Sequence, residues 1–272
     1  MRKKEKGDIL KKALVSLSFD DGRDDNWDII NNITIPKNIP VTVNVTTGYI
    51  DKTCPLNLLP TSKDAITVDN VKEFWNSPLV ELALHGDYHL NTEEDLKNGK
   101  HKLEQWLNLP LDSKFGFASP GSGMDVDEFK TSDSVFLQNE ILYMRTSLRI
   151  HSYTQFRVFC RKVGRIIHLP VFYKIAYKDT LMSQCDDRII YSVPVLKDIT
   201  FNQVKGLIEL CIRRKMSITL MFHSILQDTV KEDNWTWDRE KFIKLCDYLK
   251  KREREGKIEV CTTNKLYEQI KV

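Results

Sequence analysis

Short β-branched apolar runs alternate with helical patterns along nearly the whole chain, and no other feature restricts the fold as much. Strands are expected at Ala13–Phe19, Pro40–Val45, Val80–Leu84, Lys114–Ala118, Ile141–Ser147, Ile189–Val195, Ser217–Phe222 and Lys257–Cys261. Helices are expected near Asp24–Asn32, Val68–Trp75, Thr92–Leu107, Phe201–Arg214, Trp237–Lys251 and Asn264–Ile270. Two helix starts carry cap signals: Asn91 with Glu94 three residues on, and Thr200 with Gln203 at the same spacing. Such alternation favours parallel strands joined by crossover helices, closed as a barrel or open as a doubly wound sheet. In both architectures, chemistry gathers at the C-terminal ends of the strands.

Composition narrows the class. The 272 residues are 41% hydrophobic with a net charge of +3, which excludes wholesale disorder and argues against a dedicated nucleic-acid binder. No apolar run approaches the roughly 18 residues of a transmembrane helix. The start, MRKKEKGDILKK, has no apolar core of a secretory signal. The six cysteines (Cys54, Cys160, Cys185, Cys211, Cys246 and Cys261) form no CxxC pair, so buried, reduced thiols in a cytoplasmic protein are expected. With no linker or repeat, a single domain over residues 1–272 is expected.

The charge sum hides an asymmetry. From Arg145 to Lys178 there are eight Lys/Arg and no Asp or Glu, so the rest of the chain sums to 3 − 8 = −5. This stretch breaks the alternation and reads as a basic insertion around 145–178, with a strand at Gly164–Tyr173.

Four strand ends carry polar clusters. The first ends in Ser18-Phe19-Asp20-Asp21-Gly22, which alone is an ordinary turn composition. The third ends in His85-Gly86-Asp87-Tyr88-His89, and an i,i+4 histidine pair on one helical face can share a metal. With Asp21, these histidines make a two-His, one-carboxylate set suited to zinc, cobalt, nickel or ferrous iron. His101 sits in a polar helix pattern and is expected to be solvated. The fourth strand ends in Ser119-Pro120-Gly121-Ser122-Gly123, a small loop whose N–H groups can approach a ligand. The seventh ends in Leu220-Met221-Phe222-His223.

Taken together, SFDDG, HGDYH, FASPGSG and LMFHS resemble, in order and spacing, the motifs of the polysaccharide deacetylase family with the NodB homology domain. The resemblance runs from about Ala13 to Ile270. It implies an α/β fold, a distorted (β/α)7 barrel. It implies that Asp21, His85 and His89 bind a divalent metal, most often zinc, that Asp20 is the catalytic base and that His223 is the general acid. The loop Ser119, Pro120 and Gly121 would supply the oxyanion donor. The physical logic agrees: a bound cation polarises an amide carbonyl and acidifies water, Asp20 can take the proton, and the imidazolium of His223 can protonate the departing amine. These roles predict a bell-shaped pH profile. Two departures stand out. Ala118 occupies the position of the family's third-motif arginine, which contacts the base aspartate, so Asp20 is expected to be less firmly oriented. The fourth motif, whose aspartate orients the acid histidine, has no clear match, and Asp179, Asp186 and Asp187 are the nearest aspartates.

The resemblance implies a hydrolase that removes an N-acetyl or related acyl group from an amino sugar or glycan. Without an export signal, an intracellular surface-polysaccharide precursor is expected, its carbohydrate linked to a nucleotide or lipid diphosphate. Arg157, Arg161 and Arg165 of the basic stretch are the residues that would bind its phosphates. A solvated basic face explains the same stretch without function. Two alternatives stay open: hydrolysis of another C–N bond, such as a formamide or cyclic amide, and glycan binding without catalysis.

Overall fold

The computed structural model describes residues 10–54, 64–148, 155–227 and 234–272. β1 (Ala13–Phe19) is buried at every position, as a strand covered on both faces must be. β2 (Val41–Val45), β3 (Val80–Leu84), β4 (Phe115–Ala118), β5 (Ile141–Ser147), β6 (Ile189–Pro194) and β7 (Ser217–Phe222) follow it in sequence order, all parallel. β7 then pairs with β1 from Ser217–Leu14 to Phe222–Phe19 and closes a seven-stranded barrel. Beyond β7, β8 (Ser224–Leu226) and β9 (Thr236–Asp238) form a separate two-stranded ladder. A further strand, β10 (Ile258–Val260), lies along Ala13–Val15, so β2 reaches only Ser18 and Phe19 of β1. That wedge, and a single β3–β4 pair at Leu84–Phe117, distort the barrel.

The helices are α1 (Asp24–Ile29), α2 (Thr47–Ile50), α3 (Val68–Trp75), α4 (Glu93–Leu107), α5 (Val126–Thr131), α6 (Val135–Asn139), α7 (Gln155–Ile167), α8 (Pro170–Tyr177), α9 (Phe201–Arg214), α10 (Arg239–Arg254) and α11 (Thr263–Ile270). The Thr200–Gln203 capping box forms as expected. The α4 cap is Thr92, whose hydroxyl accepts from Asp95 N, and not Asn91. The Asn91 amide turns instead to the loop after β4. It donates to the Pro120 carbonyl at 2.9 Å and accepts from Ser119 Oγ at 2.8 Å.

Leu266, Tyr267 and Ile270 of α11 pack with Leu14, Tyr143 and Ile190 and close the N-terminal end of the barrel. Gly116 makes this filling feasible, because a Cβ there would sit 2.2 Å from the Tyr143 ring. Chemistry is therefore confined to the open, C-terminal end. All six thiols are buried and unpaired with one another.

The expected strand at Gly164–Tyr173 is absent: the segment is the end of α7, a turn and the start of α8. Pro170 begins α8, where its missing N–H costs nothing. Gly164 lets the two helices cross closely, since a Cβ there would lie 3.2 Å from Phe172 Cβ. An apolar run of this length does not by itself distinguish strand from helix. Arg149 and Tyr153 of the basic stretch lie outside the described residues.

Candidate active site

β1 ends at Phe19, and the backbone turns sharply through Asp21 (φ 73°) and Gly22 (φ 71°). A non-glycine residue in the left-handed region carries strain that must be held by its surroundings. Two bonds hold it: Arg23 Nε and Nη2 donate to Asp21 Oδ2 at 2.9 and 2.7 Å. Asp21 Oδ1, fully buried, is left with no hydrogen-bond partner. It lies 3.4 Å from Nε2 of both His85 and His89.

The segment from His85 to His89 is a loop, not the helical turn that its i,i+4 spacing suggests. Gly86 (φ 81°) and His89 (φ 60°) are both left-handed. Asp95, in the first turn of α4, ties the loop down by accepting from the N–H groups of Asp87, Tyr88 and Leu90. A Cβ at Gly86 would fall 2.2 Å from Asp95 Oδ2, which explains the glycine there. His85 Nδ1 sits 2.7 Å from the Ala118 carbonyl. A carbonyl only accepts, so Nδ1 carries the proton and Nε2 presents its lone pair.

These features fit a divalent cation. Asp21, His85 and His89 offer one ligand atom each, all within 4.8 Å of one another. Two ligands about 2.0–2.1 Å from one ion at a tetrahedral angle lie roughly 3.4 Å apart. Burial pushes the Asp21 carboxyl up, and His85, His89 and Arg23 outweigh it, holding the group well below the ordinary carboxylate range. An orphaned, ionised, buried oxygen aimed between two imidazole nitrogens is the donor set that zinc, cobalt or ferrous iron accepts.

Asp20 stands beside this set, buried. Asn44 Nδ2 donates to its Oδ1 at 2.8 Å, and Arg145 Nη2 lies 2.6 and 2.7 Å from its two oxygens. Burial pushes this carboxyl up too, and Arg145, His85 and His223 outweigh it, so Asp20 sits below its ordinary value. The expectation that Ala118 leaves Asp20 poorly oriented is therefore corrected. Arg145 is the register partner of Ala118 across the β4–β5 ladder, so the guanidinium arrives from the next strand. Its Nη1 donates to Ser192 Oγ at 3.1 Å. Arg145 thus belongs to β5 and not to a solvated basic insertion.

His223 follows β7, with Nε2 3.9 Å from Asp20 Oδ2 and its ring against Trp235 at 4.5 Å. Asn26 Nδ2 donates to the His223 carbonyl at 2.8 Å. None of the three aspartates singled out as orienting groups reaches it. Asp179 pairs with Arg157, Asp187 pairs with Lys130 at 2.6 Å, and Asp186 is exposed. Burial pushes His223 down to about 4, so the resting imidazole is neutral near pH 7.

Ser119 and Gly121 line the same cleft, of about 560 Å3, while Pro120 is buried behind them. Ser119 N donates to the Arg145 carbonyl at 2.9 Å. Gly121 (φ 54°) opens to the cleft, where a Cβ would meet nothing within 4 Å. Of the three arginines expected to bind anions, only Arg161 lines the cleft. Arg157 pairs with Asp179, and Arg165 pairs with Asp198 at 2.6 Å. Both acids lie beyond the C-terminal end of the acid-free stretch, Asp179 next to it and Asp198 after β6, and fold back onto it. Arg145, Asn44, Arg23 and Trp235 escaped sequence reasoning. Only Arg145 left a signal, as a lone charge in the apolar run ILYMRTS.

The closed parallel barrel is the fold seen in solved polysaccharide deacetylases. A solved structure of a putative polysaccharide deacetylase from Mycobacterium smegmatis matches 98% of this chain and 92% of its own, with a TM-score of 0.54 at 10% identity. The deacetylase domain of BpsB from Bordetella bronchiseptica matches 48% of this chain at 20% identity, with a TM-score of 0.37. This chain spans 62% of that domain. A CE4 family pseudoenzyme from Bacillus anthracis matches 96% of this chain and 68% of its own, with a TM-score of 0.45 at 11% identity. At these identities the likeness is one of fold. No family model and no curated protein matches the sequence.

Proposed function

We propose that this protein is a metal-dependent amide hydrolase that removes an acetyl or related acyl group from an amino sugar. The observation that carries the proposal is Asp20, buried, ionised and clamped by Arg145 and Asn44 beside the Asp21–His85–His89 set. A carboxylate held ionised and fixed at that position suits a base that takes a proton from water.

A divalent cation bound by Asp21, His85 and His89 would polarise the acyl carbonyl and lower the pKa of the attacking water. Asp20 then accepts the water proton, with Arg145 and Asn44 fixing the direction of its oxygens. The Gly121 N–H, near the start of a 3-10 turn and so without an intrahelical acceptor, donates to the developing oxyanion. His223 delivers the proton to the departing amine. Because burial keeps it neutral at rest, it receives the proton that Asp20 took from water, across the 3.9 Å between them, as negative charge grows beside it and a buried imidazolium becomes favourable. The alkaline limb of the pH profile then belongs to the substrate complex and not to the free protein.

The cleft is large enough for one or two sugar units. Trp235 and Met221 give it apolar walls, and Arg161 on its rim can meet the phosphate of a nucleotide- or lipid-diphosphate-linked amino sugar. The test is a mass-shift screen of acetylated, formylated and cyclic amide substrates with Zn2+ or Co2+ added. Loss of an acetyl or formyl mass from amino sugars is expected. Turnover confined to cyclic amides would move the reading to another C–N bond.

A further inference from the structure

Between β5 and β6 the chain sends out α7 and α8 as a hairpin whose inner face is well fixed. Cys160, Gly164, Tyr173, Ala176 and Tyr177 are buried there. Gln203 Nε2 of α9 donates to the Gly164 carbonyl at 2.7 Å, and Tyr173 Oη donates to the Pro194 carbonyl at 3.0 Å. The outer face is the anomaly. Phe156, Phe159, Ile166, Ile167, Leu169 and Val171 are 49–77% exposed. They are six of the twelve large apolar side chains exposed among the described residues, and the other six are scattered over the rest of the chain.

Helix geometry makes the group continuous. At about 100° per residue, Phe156, Phe159, Val163, Ile166 and Ile167 fall in one stripe roughly 100° wide. α7 is therefore an amphipathic helix with its apolar stripe turned to solvent, and Leu169 and Val171 extend that stripe through the turn into α8. The charge around it has one sign. From Gln155 to Lys178 there are six Lys/Arg and no Asp or Glu. Arg157 and Arg165 are spent on Asp179 and Asp198, and Arg161 lies on the far side of α7 and lines the cleft, whereas Lys162, Lys174 and Lys178 have no ion-pair partner among the described residues.

We propose that the α7–α8 hairpin docks this protein on an anionic lipid surface, with the apolar stripe in the headgroup–acyl boundary and the free cations against the lipid charge. An exposed Phe/Ile stripe on a short helix flanked by lysine is the pattern that lies in a bilayer interface. No described helix is long and apolar enough to cross a membrane, so the contact is peripheral. A second copy of the chain fits less well. A two-fold contact would bring the same patch against itself and set the flanking Lys162 near its own like charge. Docking on lipid and hydrolysis of an amide are separate properties, and either can fail alone.

The test is cosedimentation of the full chain with phosphatidylcholine vesicles, with and without phosphatidylglycerol. The expected result is binding at least about tenfold stronger with phosphatidylglycerol and weakened by salt, as roughly 1 kcal/mol per juxtamembrane cation implies. Phe159→Ser with Ile166→Ser should abolish it. Lys162→Glu should weaken it by roughly fivefold or more. Circular dichroism and the melting temperature should stay unchanged, because these side chains are exposed. Equal or no binding to the two vesicle types would overturn the proposal. A concentration-dependent dimer broken by the Ser variants would also overturn it, by giving the stripe to a second copy.

Discussion

At the residue scale, the decisive group is Arg145. Removing it leaves the Asp20 charge buried with Asn44 as its remaining donor, and burial then pushes the carboxyl up. Arg145→Met should therefore move the acid limb of kcat/KM to higher pH and lower kcat by roughly 100-fold through misplacement of the base. It should also destabilise the fold by about 3–5 kcal/mol, because an unpaired buried charge remains. Arg145→Met combined with Asp20→Asn should recover much of that stability and none of the activity. Denaturant melts and pH–rate profiles of the two variants separate these effects. His223 makes a second prediction, for the metal-free protein. Its folded pKa of about 4 lies below the ordinary imidazole value, so between those two pH values the unfolded chain binds the extra proton. Stability should fall as pH drops through that window. Urea melts from pH 7 to 4 should show a shallower fall for His223→Gln, and an unchanged slope would count against a buried neutral imidazole.

At the element scale, the strand ends were legible because each cluster is contiguous in sequence. Asp20 and Asp21, His85 and His89, and His223 each follow an apolar run that could be read as a strand. Arg145 was not legible in the same way. Its role depends on register, with Ala118 opposite it on β4, and register is a property of two strands at once. The α7–α8 hairpin was misread for a different reason. Its outer residues are apolar without being core, so hydrophobicity pointed to a strand that burial does not support. The ion pairs of Arg157 and Arg165 are hidden from the sequence because Asp179 and Asp198 both stand beyond the C-terminal end of the basic stretch. The loop between β3 and α4 gives the element-scale prediction. Gly86→Ala must accept φ 81° and push aside Asp95, which anchors three loop N–H groups. It should cost about 2 kcal/mol or more and loosen His89, weakening metal uptake as well as lowering the melting temperature. Calorimetric metal titration of the variant checks this, and parent-like affinity would contradict the role given to Asp95.

For the whole molecule, the barrel divides its labour between its two ends. α11 and Tyr143 fill the N-terminal end, and buried charge gathers at the other. Asp20, Asp21, Arg23, His85, Arg145 and His223 are all nearly inaccessible to water, and a fold keeps such a group only if the charges balance one another or a ligand. Asp21 Oδ1, buried without a hydrogen-bond partner between two imidazole nitrogens, is the anionic atom left for a ligand. Zn2+ at about 100 times its Kd should therefore stabilise the protein by about 2.7 kcal/mol. That corresponds to a rise of roughly 5–10 °C in Tm for a chain of this size, and Asp21→Asn should lose most of it.

The measurement that bears most directly on the central claim compares the metal-loaded parent with metal-loaded Asp20→Asn, assaying acetate release from N-acetylated amino-sugar oligomers and precursors. Release by the parent, stopped by a chelator, is expected. A fall of about 100-fold or more is expected in the variant, with metal content and melting temperature retained. Equal release by both proteins, or none from the metal-loaded parent on any acyl amino sugar, would contradict that claim.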